Sequence, residues 1–121
     1  MKLTLILFIS FIHAFSLIAK DTWNAVPSWL ELPTGRGQVG NMHGDIAVSS
    51  NGDIYVSVGD AKAALQVYGD NGKWKRNVPN AAGDIHGFVI KQEGDEEFIY
   101  AVRLGGGELV KMTLEGKTTM K

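Results

Sequence analysis

From Asp45 onward, short apolar runs alternate with clusters of turn-forming residues. Asp45-Ile46-Ala47-Val48 leads into Ser49-Ser50-Asn51-Gly52, a hairpin signal, and Ile54-Tyr55-Val56-Ser57-Val58 follows with alternating character over most of its length. Gly59 to Ala63 makes a longer connection. Leu65-Gln66-Val67-Tyr68 then runs into Gly69-Asp70-Asn71-Gly72, and Trp74 to Val78 reads as a fourth strand. The same order recurs as Gly87 to Lys91, Phe98 to Arg103, Glu108 to Met112, a turn at Glu115-Gly116, and Lys117 onward. Gly105-Gly106-Gly107 replaces the longer connection. β-branched and aromatic residues dominate these runs, and breaks every few residues leave no room for a helix of ordinary length. The pattern predicts two meanders of up to four antiparallel strands and no helix longer than about two turns after residue 20.

The recurrence is an internal repeat. "NMHGDIAVSS" begins at Asn41 and "DIHGFVIKQE" at Asp84. An offset of 43 (86 less 43) places His43 on His86, Gly44 on Gly87, Ile46 on Val89 and Ala47 on Ile90. One extra residue in the acidic turn after Gln92 lengthens the offset. Ile54-Tyr55 then matches Ile99-Tyr100, Leu65 matches Leu109, and Gly72-Lys73 matches Gly116-Lys117. A period in the low forties, read as strand, belongs to propeller blades rather than to helical repeats. The expected fold class is therefore all-β: a partial β-propeller of two four-stranded antiparallel blades, with blade 1 over residues 41–83 and an incomplete blade 2 over 84–121.

The segment ahead of the repeats is of another kind. Met1-Lys2 and the apolar stretch Leu3 to Ile18 fit a secretory signal peptide over residues 1–19, cleaved after Ala19 in preference to Ser16. An uncleaved N-terminal anchor is the alternative. Residues 20–40, carrying Trp23, Pro27, Trp29 and Pro33, show no sustained period and are expected to lie extended with their aromatics on the first repeat. Export leads to a secreted or periplasmic location, with no stable membrane span once the signal is removed. Cysteine is absent, so no disulfide staples the fold. The net charge of −1 and the lack of a basic stripe exclude an electrostatic footprint for nucleic acid. Lys73-Trp74-Lys75-Arg76, the densest basic cluster, reads as a solvated outer strand.

Three motifs invite chemistry. Gly35-Arg36-Gly37-Gln38-Val39-Gly40 spells a dinucleotide fingerprint, but Leu32-Pro33-Thr34 precedes it and a strand follows, so the strand–helix context that delivers phosphate to a helix N-terminus is missing. Asn51-Gly52-Asp53 and Asp70-Asn71-Gly72 lack the regular oxygen alternation of a calcium loop and read as hairpin turns. His43 and His86 are the serious candidates. In a propeller the first strand of each blade lies innermost, so residues leading into adjacent first strands converge at one face. Two imidazoles there would coordinate a metal such as zinc or contact a ligand, with Asp45, Asp84 and Asn41 nearby in sequence. The plainer reading is that each His-Gly caps a strand opening, and two histidines fall short of the three protein ligands of a catalytic zinc site.

"HGDIAVSSNGDIYVSV" with "LQVYGDNGK", and "HGFVIKQEGDEEFIYAVR" with "LVKMTLEGK", resemble NHL-repeat and related six-bladed propellers. "WLELPTGRGQVGNMHGDIAV" is similar to the lead-in and first blade of bacterial proteins resembling peptidyl-α-hydroxyglycine lyase. The resemblance covers nearly all of the chain after the signal. It implies zinc-binding histidines at His-Gly positions leading into blades, a motif His86 matches best. It also implies an active-site arginine just after the second strand of the first blade. Val58-Gly59 stand there instead, and the nearest analogue is Arg103, one blade later. Tyr55 and Tyr100 read as packing residues.

The expected function is that of an exported NHL-like propeller, a ligand-binding or scaffold module that receives a small molecule or peptide at its axial channel. The alternatives are a metal-dependent lyase or hydrolase with His86 and His43 as zinc ligands, and a two-blade lectin-like module completed by oligomerisation. Two blades leave two apolar faces and no closed ring, so further blades or further copies are expected to complete the unit, the chain being either a fragment or one member of a homo-oligomer.

Overall fold

The computed structural model describes residues 22–37, 39, 45–59 and 63–121. The expected signal peptide, His43 and Asn41 lie outside the described residues. Those residues are all-β, with no helix among them, and so with none long and apolar enough to cross a membrane.

Eight strands form two four-stranded antiparallel sheets, each in simple meander order. The first sheet holds β1 (Ile46–Val48), β2 (Ile54–Ser57), β3 (Leu65–Tyr68) and β4 (Trp74–Asn77). The second holds β5 (Ile85–Glu93), β6 (Glu96–Arg103), β7 (Glu108–Thr113) and β8 (Thr118–Met120). The predicted order and number of strands hold. One hairpin is longer than the pattern suggested, because the acidic run is strand rather than turn. Glu93 pairs with Glu96 and Gln92 with Glu97, leaving only Gly94-Asp95 to turn the chain.

Turn chemistry explains where the strands stop. Gly52, Gly72 and Gly116 adopt φ of 86°, 78° and 83°, a region that costs a side chain strain. Each donates its N–H back three residues, to the carbonyls of Ser49, Gly69 and Thr113 respectively. The Asn51 and Asn71 side-chain oxygens accept the backbone N–H of Asp53 and Lys73, both at 3.0 Å. The two Asn-Gly motifs therefore spend their oxygens on the hairpin backbone.

The ladders show how the repeats correspond. In the first sheet Ala47, Tyr55, Val67 and Arg76 form one cross-strand row; in the second the matching row is Val89, Tyr100, Lys111 and Met120. Both rows precede a register shift at the same place, after Val67 and after Lys111. The matches of Tyr55 with Tyr100, Leu65 with Leu109 and Gly72 with Gly116 agree with this register. The first-strand match does not: Ala47 corresponds to Val89 rather than Ile90, and Ile46 to Phe88 rather than Val89. The irregularity between Ile85 and Gly87, at His86, absorbs the extra residue.

The sheets stack with unlike faces together. Ala47, Tyr55, Leu65 and Val67 of the first sheet share one core with Phe88, Ile90, Ile99, Ala101, Val110 and Met112 of the second. Burying each large side chain contributes about 1.5–3 kcal/mol, which makes this shared core the main cohesion between the sheets. The face that the first sheet offers is the Tyr55 face. The equivalent Tyr100 face of the second sheet points away, and Val89, Val102 and Leu109 on it are 53%, 48% and 51% exposed. The arrangement is head to tail.

Three polar contacts fix the stacking. The Glu97 carboxylate accepts the Ser50 N–H at 2.9 Å and the Ser50 hydroxyl at 2.8 Å. Arg76 donates through Nη2 to the Leu114 carbonyl at 3.0 Å and to the Tyr55 hydroxyl at 3.2 Å. Asp45 Oδ2 accepts the Phe88 N–H at 3.3 Å. Lys73, Trp74 and Lys75 are exposed, as a solvated outer strand requires, whereas Arg76 turns into the joint.

Of residues 22–37, the stretch around Glu31 runs along the first sheet. Glu31 makes a parallel bridge to Lys73, donating to the Gly72 carbonyl at 2.9 Å and accepting from Trp74 N–H at 3.2 Å. This anchor holds Trp29 over Gly72, where a Cβ would overlap the Trp29 carbonyl oxygen. Trp23 does not follow: it is 93% exposed, ahead of the turn at Pro27-Ser28 and outside the reach of the Glu31 anchor. The linker between the sheets repeats the device. Pro79 crosses Gly116 as Trp29 crosses Gly72, and Val78 and Ala81 beside it are buried in the shared core.

Candidate functional site

The first strands of the two sheets, β1 and β5, lie side by side, held by the Asp45 contact to the Phe88 N–H. Asp45 also sits against Gly87, where an added Cβ would meet its Oδ2 at 3.1 Å. Gly87 therefore leaves the space that lets the carboxylate reach across. Asp45 and His86 are both exposed on this edge, one from each repeat. Of the predicted site residues, Asp45 reaches the backbone two residues beyond His86.

Asp84 and Arg103 are brought together differently. Arg103 Nε donates to Asp84 Oδ1 at 2.8 Å, and Arg103 Nη1 donates to Glu108 Oε2 at 2.7 Å. The bond from Arg103, aided by its charge, holds the Asp84 carboxyl below the usual range, and the same pairing raises the guanidinium. Asp84 and Arg103 close the ends of β5, β6 and β7, so both are engaged in strand-end pairing. Position 43 and position 41, the other predicted partners, lie outside the described residues.

A zinc centre needs about three convergent protein ligands. Among the described residues, no three His, Asp or Glu side chains come together in that way, and His86 is the one described histidine. The described residues do not fit a zinc site by themselves.

Two hollows accompany this geometry. One of about 290 Å³ opens on the exposed face of the second sheet, lined by Asp45, Gly87, Phe88, Val89, Tyr100, Val102 and Leu109. Its floor is low because Gly87 stands where the first sheet has Asp45. The other, about 200 Å³, lies at the opposite end between Glu96–Phe98 and Thr113–Glu115. The sequence pattern did not single out Val102 or Leu109, because which face of a strand stays open depends on the direction of stacking. The open face carries one charged assembly: Lys111 bonds Glu93 at 2.6 Å and lies 4.1 Å from the Phe98 ring centre, while the Tyr100 hydroxyl also bonds Glu93. The Lys111 bond lowers the Glu93 carboxyl and raises the ammonium.

No protein family, curated relative or solved structure matches the chain.

Proposed function

We propose that this chain is a pair of consecutive blades of an exported, NHL-like β-propeller and serves as a binding or scaffold module, with its ligand approached along the inner edge formed by β1 and β5. The observation that carries the reading is that these two first strands lie side by side, with Asp45 reaching the Phe88 N–H and both Asp45 and His86 exposed. The apolar leader Leu3 to Ile18 supports export. Head-to-tail stacking of equivalent sheets supports the blade reading, because every successive sheet in a propeller meets the next through the same two faces.

The groups beside this edge are the Asp45 carboxylate, the His86 imidazole and the backbone around Gly87. That set suits a small polar ligand or peptide carrying a donor for Asp45 and an acceptor for an imidazole N–H. The test is an amide-resonance titration of the dilute chain with a short-peptide and small-molecule library. Ligands are expected to shift Asp45, His86, Gly87 and Phe88 most, and Asp45→Asn with His86→Ala is expected to weaken them at least about tenfold, roughly one lost charged contact. Shifts confined to Glu96–Phe98 and Thr113–Glu115, or affinity unchanged in the double variant, contradict the reading.

A further inference from the structure

We infer that the two ends of this molecule are the two halves of one joint, so that a second copy docks through the first sheet on the open face of the second sheet. The internal joint defines what each half must contain. Its giving half is the Tyr55 face, and the repeat-equivalent face of the second sheet is the one left open, with Val89, Val102 and Leu109 about half exposed. Its receiving half is Phe88 and Ile90 of β5 together with Ile99, Ala101, Val110 and Met112, with a linker filling the outer wedge where Pro79 crosses Gly116.

The first sheet keeps the β1 part of that half free, whereas Val56, Gln66 and Tyr68, equivalent to Ala101, Val110 and Met112, are already buried within the chain. Trp29 crosses Gly72 as Pro79 crosses Gly116, and Glu31 anchors the segment on β4, so an outer filler is in place. The strip equivalent to Phe88 and Ile90 is Ile46 and Val48, and these are 66% and 60% exposed, whereas Phe88 is 4% exposed. An aliphatic strip standing free on one end thus matches the aliphatic Val89, Val102 and Leu109 end of the open face, whose other end carries the Lys111–Glu93 pair. Apolar surface displayed in this contiguous way marks an interaction site.

The register follows from the internal joint. Asp45 meets the backbone at Phe88; its repeat equivalent is Gly87, and the equivalent of Phe88 is Ile46. Ile46 of one copy is therefore placed over the Gly87 hollow of the next, beside Val89 and Val102. Such a contact is heterologous, and it closes into a ring where the rotation permits and extends as a stack where it does not. The inference deepens the blade reading and rests on its head-to-tail stacking, but not on any ligand.

The experiment uses the chain itself as the partner. It contains no cysteine, so single cysteines are clean probes. Ile46→Cys and Val89→Cys proteins, mixed and treated with a short bismaleimide, are expected to yield a crosslinked pair far in excess of either protein alone. Sedimentation velocity over a dilution series is expected to show reversible association, weakened at least about tenfold by Val102→Asp on one half and separately by Ile46→Asp on the other. Circular dichroism of each variant confirms that it folds, and either variant suffices if the other does not. A folded chain that stays monomeric throughout the series overturns the inference. So does association that survives both substitutions without the crosslink. A monomer that still binds ligands at Asp45 and His86 overturns the joint alone, whereas a chain that associates when concentrated but lacks that binding when diluted to monomer overturns the ligand reading alone.

Discussion

At Gly72 and Gly116 a missing side chain does two jobs. The positive φ of each closes a hairpin, and its bare Cα lets another stretch of backbone pass directly over it. Gly52 does only the first job, since nothing lies near the place its Cβ would occupy. Replacing Gly52 with alanine is therefore expected to cost about 1 kcal/mol, the strain of positive φ alone. Gly116→Ala must also displace Pro79, and is expected to cost about 3 kcal/mol or more. Urea denaturation of the two variants checks the difference; equal costs would mean that Pro79 does not cross there. The turn role of these glycines was legible from Asn-Gly and Glu-Gly in the chain. The crossing was not, because Trp29 and Pro79 are brought there by long-range packing. Arg76 was hidden for a similar reason: within a basic run it looks like one more solvated charge, and only the neighbouring sheet turns it inward.

At the scale of elements, the strands could be read because period-two alternation and turn residues both point the same way. The length of the β5–β6 hairpin could not. Glu93, Glu96 and Glu97 resemble a polar turn, yet Glu97 caps the turn at Ser50 in the other sheet and Glu93 pairs with Lys111. These pairings make an acid-sensitive element. Lys111 and Tyr100 lower the Glu93 carboxyl, and Arg103 lowers that of Asp84. A folded-state pKa below the unfolded value contributes stability that is fully present above the unfolded pKa, near 4 for these carboxyls, and is lost as pH falls through the folded pKa. The urea midpoint is thus expected to hold above about pH 5 and to fall as the pH drops toward 3 and below. Asp84→Asn combined with Glu93→Gln is expected to flatten that fall. An unchanged acid limb in the double variant would show that these two pairings do not carry it. Both are solvent-facing, so about 0.15 M salt is expected to reduce the effect.

At the scale of the whole molecule, the repeat announced two similar sheets but not how they meet. Tyr55 and Tyr100 are equivalent in the chain, and nothing local says that one is 1% exposed while the other stands on the open side. Stacking direction decides it, together with the linker that Val78 and Ala81 bury between the sheets. The candidate site was legible to a similar depth. The repeat marked His86 and sequence proximity added Asp45, both of which are exposed, whereas the capture of Asp84 by Arg103 and Glu108 depends on where β6 ends and β7 begins. The proposed inner edge and the proposed joint both depend on the head-to-tail arrangement. Inter-sheet nuclear Overhauser effects in the dilute, isotopically labelled chain test it most directly. Cross-peaks are expected from Asp45 Hβ to the Phe88 amide, from the Ser50 amide to Glu97 Hγ, and from the Tyr55 ring to the methyls of Ile99 and Val110. Cross-peaks instead joining Val89, Val102 or Leu109 to the first sheet within one molecule would contradict the arrangement.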